Sequence, residues 1–539
     1  MAGHPPLSGT AAEIHRLMGE ASAAFARGEL RRAAATAEQV LKLAPEMPDA
    51  LHLLALCLFQ GGDLGNALHL IRHAAALKPA DRQLLRNLGV LSAGAGDSGG
   101  ALTAFTRLTL MDPEDAESQF NIAVLSEDQG DLYGAEHAYR ETLRRSPRHA
   151  PAAGALAALL EQGNALEEAE RWSAVALAAD PTEAVGNLTQ AQLDLRAGRE
   201  QAAITRLEVL LQLDSLVPRN RALAAGRLGA VYDRLEQPER AWPQFLTAKQ
   251  ALKTMLRPVE PGAYGFDAAA RMARYRDALL AAGPADEGEG PVFLVGFPRS
   301  GTTLLDQILS GHGRIAVLEE QDTLQDVLRG HALTDAGMET FLSADGAALA
   351  AWRLAYWQRV AEFMPERDPQ AMFVDKLPLN SVFMPLIRRL FPSAKFIYAL
   401  RDPRDVVLSC FMQTFTLNEG MRHFLSLEET ASYYAAVMQV GLDSLDRLPE
   451  AAHRIRYEDV VADTEKEARR LLEFLGLEWE PRVLDFQQTA RAKRINTPSY
   501  HQVAQPIYQR AKQRWRRYEA QLATVLPVLE PFAKRLGYD

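Results

Sequence analysis

Residues 296–303 read Gly-Phe-Pro-Arg-Ser-Gly-Thr-Thr and directly follow the apolar run Pro-Val-Phe-Leu-Val at 291–295. A strand, a Gly-x-x-x-x-Gly loop and a helix that opens on threonine form a frame that points backbone N–H groups at a phosphate. A nucleotide triphosphatase carries Lys where this chain has Thr302, and the nearest cation here is Arg299. The stretch therefore predicts an α/β domain that binds a short anionic nucleotide tail without being an ordinary ATPase.

The polar groups of this loop are the first candidates for ligand binding. Backbone amides, two threonine hydroxyls and a guanidinium would surround a 5′-phosphate. The residues concerned are Arg299, Ser300, Gly301, Thr302 and Thr303. A strand–helix turn without a ligand is the structural alternative, but so many donors at one helix N-terminus favour binding.

The first half of the chain repeats with a period of 34 residues, marked by Gly, Ala and Pro. Gly allows a turn, Ala lets two helices approach closely, and Pro breaks the chain before the next unit, as in tetratricopeptide repeats. The positions in register are Gly28, Gly62, Gly96, Gly130 and Gly198, Ala33, Ala67, Ala101, Ala135, Ala169 and Ala203, and Pro45, Pro79, Pro113, Pro147 and Pro181. Gly163 lies one residue out of register. A seventh, less regular unit is predicted at about 219–253.

The chain as a whole is predicted to form a tetratricopeptide array at 12–253, a capping helix and linker at 254–290, and a second domain at 291–539. Gly, Pro and acidic residues at 283–291 indicate the linker. Beyond it, short apolar strands alternate with amphipathic helices, which is typical of an α/β domain with a mainly parallel sheet. The strand candidates are 291–296, 314–318, 371–374, 395–400 and 453–457. The array would dock a protein or peptide, with a scaffold, oligomerisation or stabilising role as the alternative.

Composition narrows the class of protein. The chain has 539 residues and a formal net charge of −10, which argues against a general nucleic-acid binder. Its two cysteines, Cys57 and Cys410, lie far apart, so a disulfide framework and a cysteine-rich metal site are excluded. The N-terminus lacks a signal-peptide pattern, and no apolar run reaches the roughly 18 residues of a membrane span. We expect a cytoplasmic protein that needs no metal.

A second polar element follows another predicted strand. Residues 395–405 read Lys-Phe-Ile-Tyr-Ala-Leu-Arg-Asp-Pro-Arg-Asp. Arg401 lies at the carboxyl end of the strand, where open α/β sheets bind ligands, and Ser409 follows about two turns into the next helix. Arginine and serine together suit a second phosphate, separate from the first. A salt-bridged turn is the alternative, more so for Arg404 than for Arg401.

Together, the loop at 296–303 and the element at 395–409 resemble the two phosphate-binding elements of the sulfotransferases that use 3′-phosphoadenosine 5′-phosphosulfate (PAPS). The first is similar to the family's 5′-phosphosulfate loop and the second to its 3′-phosphate element. The resemblance covers roughly 290–535 and points to the tyrosylprotein sulfotransferases and to the bacterial-type sulfotransferases fused to tetratricopeptide repeats. It implies the sulfotransferase fold and transfer of a sulfuryl group from PAPS to an acceptor hydroxyl, which leaves 3′,5′-bisphosphoadenosine (PAP).

The same resemblance implies three catalytic residues. In tyrosylprotein sulfotransferases a strand ends in Glu-Glu and the second Glu is the base; it corresponds to Glu320, which would accept the proton of the attacking hydroxyl. Lys376 matches the family's strand-end lysine, whose charge would stabilise the bridging oxygen of the leaving phosphate. Ser499 matches a serine thought to assist the same transition state. A glutamate that complements a helix dipole and a solvent-exposed lysine are the structural alternatives for the first two.

Two further residues match family positions near the donor. Tyr457 matches a residue near the nucleotide, and Arg514 falls where the family has a PAPS-binding Lys. The chain departs from the animal enzymes at Gln413 and Gln505, where they have Arg and Lys, and those enzymes are membrane-anchored and contain disulfides. These differences leave the acceptor and the compartment open. The basic run at 491–517 would close over the doubly phosphorylated donor, with part of it a solvated helix face.

We therefore interpret the sequence as a PAPS-dependent sulfotransferase that carries a repeat array. Protein tyrosine is the favoured acceptor, while a carbohydrate, a lipid and a small phenol stay open. A P-loop kinase is one alternative, but it would need Lys in place of Thr302 and a metal-binding Asp at the strand end where the chain has Arg401. A non-catalytic repeat scaffold with a degenerate P-loop is the other, and it should tolerate loss of Glu320 and Lys376.

Overall fold

The computed structural model describes residues 9–256, 262–281, 290–485 and 513–538. The chain divides into two compact units, Met1–Arg199 and Glu200–Asp539. The first is built of helices, and the second combines helices with a five-stranded sheet. The predicted fold class, a helical repeat array followed by an α/β domain, is confirmed.

The first unit is a series of antiparallel helix pairs, in which each helix packs against its neighbours in the chain. Its helices are α1 (Gly9–Ala26), α2 (Leu30–Leu43), α3 (Pro48–Gln60), α4 (Leu64–Leu77), α5 (Arg82–Gly94), α6 (Ser98–Met111), α7 (Ala116–Asp128), α8 (Leu132–Arg145), α9 (Ala150–Gln162), α10 (Leu166–Ala179) and α11 (Ala184–Arg196). The alanines in register are fully buried where the two helices of a pair meet, at Ala33, Ala67, Ala101, Ala135 and Ala169. Small side chains at these contacts account for the close packing of the pairs.

The turn within each pair contains a residue with left-handed backbone. Gly96 has a φ of 80°, and the next residue, Asp97, accepts a hydrogen bond from the N–H of Gly100 and so caps α6. In the fifth repeat the glycine, Gly163, lies one residue before the register, as noted from the sequence. Asn164, which keeps the 34-residue register, has the positive φ of 61°, because asparagine tolerates this conformation better than other residues with a side chain.

The second unit contains the sheet and the helices around it. Its helices are α12 (Glu200–Leu211), α13 (Pro218–Arg234), α14 (Pro238–Lys253), α15 (Phe266–Ala281), α16 (Thr302–Ser310), α17 (Gln325–Val327), α18 (Asp335–Ser343), α19 (Gly346–Phe363), α20 (Met384–Leu390), α21 (Pro403–Met412), α22 (Leu427–Asp446), α23 (Tyr457–Ala462), α24 (Thr464–Leu475), α25 (Glu519–Leu522) and α26 (Leu526–Arg535). The strands are β1 (Val292–Gly296), β2 (Ile315–Glu319), β3 (Met372–Lys376), β4 (Lys395–Leu400) and β5 (Ala452–Arg456). Short 3₁₀ segments lie at Pro378–Phe383, Met421–Phe424, Pro481–Leu484 and Arg514–Tyr518, and a π turn at Leu328–Ala332.

The five strands form one parallel sheet in the order β2-β3-β1-β4-β5. Each lies within about two residues of a predicted strand. The register pairs Glu319 with Lys376 and Gly296 with Ala399. Because the carboxyl ends of parallel strands meet at one edge, the segments that follow β1, β2, β3 and β4 converge there.

Both faces of the sheet are covered, as parallel sheets require. On one face, Leu294 of β1, Ile308 of α16 and Leu471 of α24 belong to one buried apolar cluster. On the other, Phe293 stacks on Phe396 with ring centroids 5.9 Å apart and also contacts Tyr356 of α19. In the part of the chain that the structure describes, no helix has both the length and the apolar character to cross a membrane.

Helices α13 and α14 pack against the α/β part of the second unit. Asp233 of α13 accepts hydrogen bonds from the guanidinium of Arg514 at 2.7 Å and from the hydroxyl of Tyr518 at 2.8 Å. Lys249 of α14 donates to the carbonyl of Gln413 at 2.7 Å. These contacts fix the C-terminal residues and the end of α21 against the two helices.

Candidate active site

The loop between β1 and α16 has a backbone that requires glycine at one position. Gly301 has a φ of 100°, and a Cβ atom there would lie 2.8 Å from Cδ2 of Tyr457. Arg299 also has a positive φ, of 70°. Among the described residues, the backbone N–H groups of Gly301, Thr302 and Thr303 meet no acceptor, as is usual at the start of a helix. The loop therefore presents free N–H donors to an anion.

The second predicted element is in direct contact with this loop. Nε of Arg299 donates to Oγ of Ser409 at 3.1 Å, and the guanidinium of Arg401 donates to the carbonyl of Arg299, also at 3.1 Å. The Arg401 guanidinium lies over the ring of Tyr457, 4.7 Å from its centroid. The structure thus brings together four predicted residues from three separate parts of the sequence.

Arg404 takes part in a salt-bridged turn, the alternative that the sequence left open for it. Its Nε and a terminal nitrogen donate to the two carboxylate oxygens of Asp402 at 2.9 and 2.8 Å. The same guanidinium lies 4.1 Å from the ring centroid of Trp515. Asp402 also accepts the backbone N–H of Arg404 and so caps α21, which explains why the chain turns here.

The ends of β2 and β3 carry an ion-pair cluster around a buried lysine. Nζ of Lys376, whose side chain is fully buried, lies 2.8 Å from Oε1 of Glu320 and 3.1 Å from Oε1 of Glu319. Burial lowers the pKa of Lys376, but the charges of Glu320 and Glu319 raise it more, so that the net pKa lies above its ordinary value. Lys376 is therefore held as an ammonium at neutral pH.

The geometry excludes both structural alternatives for this pair. Lys376 is not a solvent-exposed lysine, because its side chain has no exposed surface. Glu320 is not at the N-terminus of a helix, since α17 begins only at Gln325. Glu320 instead has a φ of 50°, and its N–H donates to the carbonyl of Lys376 at 2.7 Å. Its side chain is 38% exposed, which leaves the carboxylate accessible to a substrate.

The last two predicted residues fall at the C-terminal side of the domain. Arg514 pairs with Asp233 and also approaches the sulfur of Met412 at 3.0 Å, at the end of the helix that carries Ser409. Asp405 of the same helix accepts the backbone N–H groups of Gln513 and Trp515, both at 2.8 Å, and so fixes this segment. Ser499 lies outside the described residues, as do the basic residues at 491–512.

Sequence analysis missed part of the polar network behind Lys376. Asp375 is fully buried and accepts hydrogen bonds from the hydroxyls of Thr323 at 2.5 Å and Tyr356 at 2.9 Å. The signal was present in the sequence, because an aspartate stands directly before Lys376 in an otherwise apolar strand. Glu319, the second carboxylate that pairs with Lys376, was likewise visible in the sequence only as one half of a Glu-Glu pair.

Comparison with known proteins identifies the two parts of the chain. Residues 291–481 match the sulfotransferase family, and residues 18–82, 86–136 and 127–184 match the tetratricopeptide repeat. The α/β domain is thus similar to the sulfotransferase family over most of its length, and the helical unit is made of tetratricopeptide repeats. The match to the family contains the loop at 296–303, the Glu-Glu pair and Lys376.

Curated relatives are similar at modest identity. An uncharacterized protein of Aquifex aeolicus is 28% identical over 382 residues, which is 69% of this chain and 49% of that protein. Protein-tyrosine sulfotransferase A of Caenorhabditis elegans is 25% identical over 260 residues, 46% of this chain and 67% of that protein. The protein-tyrosine sulfotransferase of Drosophila melanogaster is 24% identical over 263 residues, 46% of this chain and 51% of that protein. This chain spans about half the length of the Aquifex and Drosophila relatives.

Part of the chain also aligns with solved tetratricopeptide repeat proteins. One from Parabacteroides merdae aligns with 44% of this chain and 93% of its own length, at 19% identity and a TM-score of 0.38.

Proposed function

We propose that this chain transfers a sulfuryl group from PAPS to an acceptor hydroxyl, with Glu320 as the base. The observation that carries the proposal is the ion pair between the buried ammonium of Lys376 and the partly exposed carboxylate of Glu320, at the ends of β3 and β2, in the same sheet as a loop that has Thr302 in place of a lysine. A donor that ends in sulfate has no γ-phosphate for such a lysine to reach. The match to the sulfotransferase family supports the same reaction.

The donor would be bound by the two polar elements that lie against each other. The loop amides and hydroxyls of Ser300, Gly301, Thr302 and Thr303 would hold the 5′-phosphosulfate together with Arg299. On the other side, Arg401 and Ser409 would bind the 3′-phosphate, and Tyr457 would contact the nucleotide. Arg514 and Ser499 would complete the donor site from the C-terminal segment, as the family resemblance implies.

The reaction follows from this arrangement as a direct displacement at sulfur. The carboxylate of Glu320 accepts the proton of the acceptor hydroxyl, and the oxygen lone pair forms a bond to sulfur. The bond from sulfur to the bridging phosphate oxygen breaks, its electron pair stays on that oxygen, and PAP leaves. The ammonium of Lys376 stabilises the negative charge that develops there, and Ser499 and Arg299 assist. Holding donor and acceptor in line supplies much of the acceleration.

A tyrosine side chain of a protein is the acceptor that we favour. Two of the relatives named above are protein-tyrosine sulfotransferases, and a repeat array at 12–253 in the same chain as a catalytic domain at 291–539 is suited to docking a protein substrate. Cys57 and Cys410 are both unpaired and buried, which supports a reducing, cytoplasmic location. Cross-linking of the full chain to an acceptor protein tests the docking role: cross-links absent from 12–253 would contradict it.

Transfer of label from ³⁵S-PAPS to a panel of proteins, glycans and phenols tests the reaction itself. Glu320→Gln should lower the rate about 100-fold or more, because the amide cannot accept the proton. Glu339→Gln, an exposed glutamate in α18, is the matched control and should retain the wild-type rate. Absence of transfer to every acceptor, or tight binding of Mg-ATP in preference to PAP, would refute the proposal.

A further inference from the structure

Asp375 is the most unusual acidic residue near the proposed active site. Its side chain is completely buried at the end of β3, one residue before Lys376. Oδ2 accepts hydrogen bonds from the hydroxyls of Thr323 and Tyr356, whereas Oδ1 has no partner among the described residues. A buried carboxylate without a counter-ion is costly, and its presence calls for a functional reason.

The segment that Asp375 contacts is the turn that carries Glu320. Glu320 has left-handed backbone, with a φ of 50°, which is unfavourable for a residue with a Cβ atom and persists only where its surroundings fix it. Lys376 fixes the start of the turn. Its carbonyl accepts the N–H of Glu320 at 2.7 Å, and its ammonium pairs with the carboxylate of Glu320. At the other end, Thr323 is fixed by Asp375 at 2.5 Å.

Two consecutive residues of one strand therefore hold the two ends of a strained turn. Successive side chains of a strand point to opposite faces of the sheet, so Lys376 and Asp375 reach the turn from different sides. Tyr356 of α19 donates to the same oxygen of Asp375 and keeps the carboxylate oriented. We propose that Asp375 is a positioning residue for Glu320, whose carboxylate it keeps aimed at the acceptor hydroxyl by holding Thr323; this rests on the proposed sulfuryl transfer.

The protonation state of Asp375 gives this role a pH dependence. Burial raises the pKa of Asp375 to about 7, although the hydroxyls of Thr323 and Tyr356 favour the ionised form. The other titratable groups that face it are Asp322, from the same turn, and Tyr264, which precedes α15. A hydrogen bond to a carboxylate is about twice as strong as one to a neutral group, so the hold on Thr323 weakens as pH falls through about 7.

Once transfer by the wild-type chain has been established, the test compares kcat of variants in the wild-type and in the Glu320→Gln background. Asp375→Asn should lower kcat between about 10- and 100-fold, with KM for PAPS within about 3-fold, because a small misplacement of a catalytic group slows chemistry more than donor binding. The wild type should lose kcat as pH falls below 7, and the Asp375→Asn variant should not show this loss. In the Glu320→Gln background the same change should have no further effect, since a residue that acts through Glu320 is coupled to it.

A second pair of variants covers the case in which Asp375→Asn does not fold. Thr323→Val removes the hydroxyl and should lower kcat in the same way, whereas Thr323→Ser keeps the hydroxyl and should restore it. The proposal is overturned if Asp375→Asn retains wild-type kcat, if the loss is equally large in the Glu320→Gln background, or if Thr323→Ser is as impaired as Thr323→Val. A wild-type chain without any transfer would instead refute the sulfotransferase proposal itself, and the positioning role with it.

Discussion

Replacement of Gly301 by alanine should weaken donor binding strongly without unfolding the domain. The φ of 100° at this residue is far from the conformations that alanine prefers, and the added Cβ would lie 2.8 Å from Cδ2 of Tyr457. The ring of Tyr457 supports the guanidinium of Arg401 at 4.7 Å, so a ring that moves away also displaces one of the two arginines beside the loop. The change therefore acts on both proposed phosphate contacts at once.

The size of the effect can be estimated from these two strains. A residue with a side chain in such a backbone conformation costs about 1 to 3 kcal/mol. An added methyl group in a packed site costs about 1 to 3 kcal/mol more. Even the lower sum, about 2 kcal/mol, corresponds to roughly a 30-fold loss of affinity, because the loop must pay this energy to regain its binding conformation.

Titration calorimetry with PAP measures the loss directly. Gly346→Ala is the matched control, since a Cβ at this first residue of α19 would meet no atom within 4 Å, and the affinity for PAP should not change. Circular dichroism would check that both variants fold. A Gly301→Ala chain that binds PAP within about 3-fold of the wild type would refute the assignment of this loop to the donor.

Three further changes test other parts of the second unit. Lys376→Met should lower kcat about 100- to 1000-fold in the ³⁵S transfer assay, because the charge proposed to stabilise the leaving oxygen is lost. An unchanged kcat would contradict this role. Asp233→Ala should lower the free energy of unfolding by about 2 to 4 kcal/mol in denaturant titrations, because Arg514 and Tyr518 lose their acceptor. A loss below about 0.5 kcal/mol would show that these contacts do not stabilise the fold. Burial lowers the pKa of Lys249 from 10.5 to about 7, so the stability linked to this group is fully present above 10.5 and is lost as pH falls through 7. Relative to Lys249→Met, the wild type should gain about 2 kcal/mol between pH 7 and 9, and a difference independent of pH would exclude this linkage.

Local patterns made most of the fold predictable. The repeats follow from a period that fixes where left-handed turns and small contact residues fall, and the strands follow from short apolar runs before polar residues. Gly163 shows the limit of this approach, because a count of glycines cannot tell that the neighbouring Asn164 adopts the left-handed backbone. For the site, spacing and resemblance suggested Glu320 and Lys376, which the structure brings within 2.8 Å of each other.

Contacts between distant segments could not be predicted, because they depend on how the elements pack. Neither the hydrogen bond of Arg299 to Ser409 nor that of Thr323 to Asp375 leaves a pattern in the sequence. Arg404 illustrates the same point. Its guanidinium is held by Asp402, two residues earlier, which a list of basic residues near a phosphate site cannot reveal.

The order of the strands separates the proposed base from the proposed donor site. The proposed phosphate-binding loop follows β1, in the middle of the sheet, and Arg401 follows β4 on one side of it. The carboxylate of Glu320 comes from β2 on the other side, with β3 between. In this arrangement the carboxylate of Glu320 pairs with Lys376 at 2.8 Å. In the proposed reaction the same lysine would pair with that carboxylate before the transfer and with the leaving oxygen during it, because its ammonium lies at the end of β3, between the proposed base and the loop.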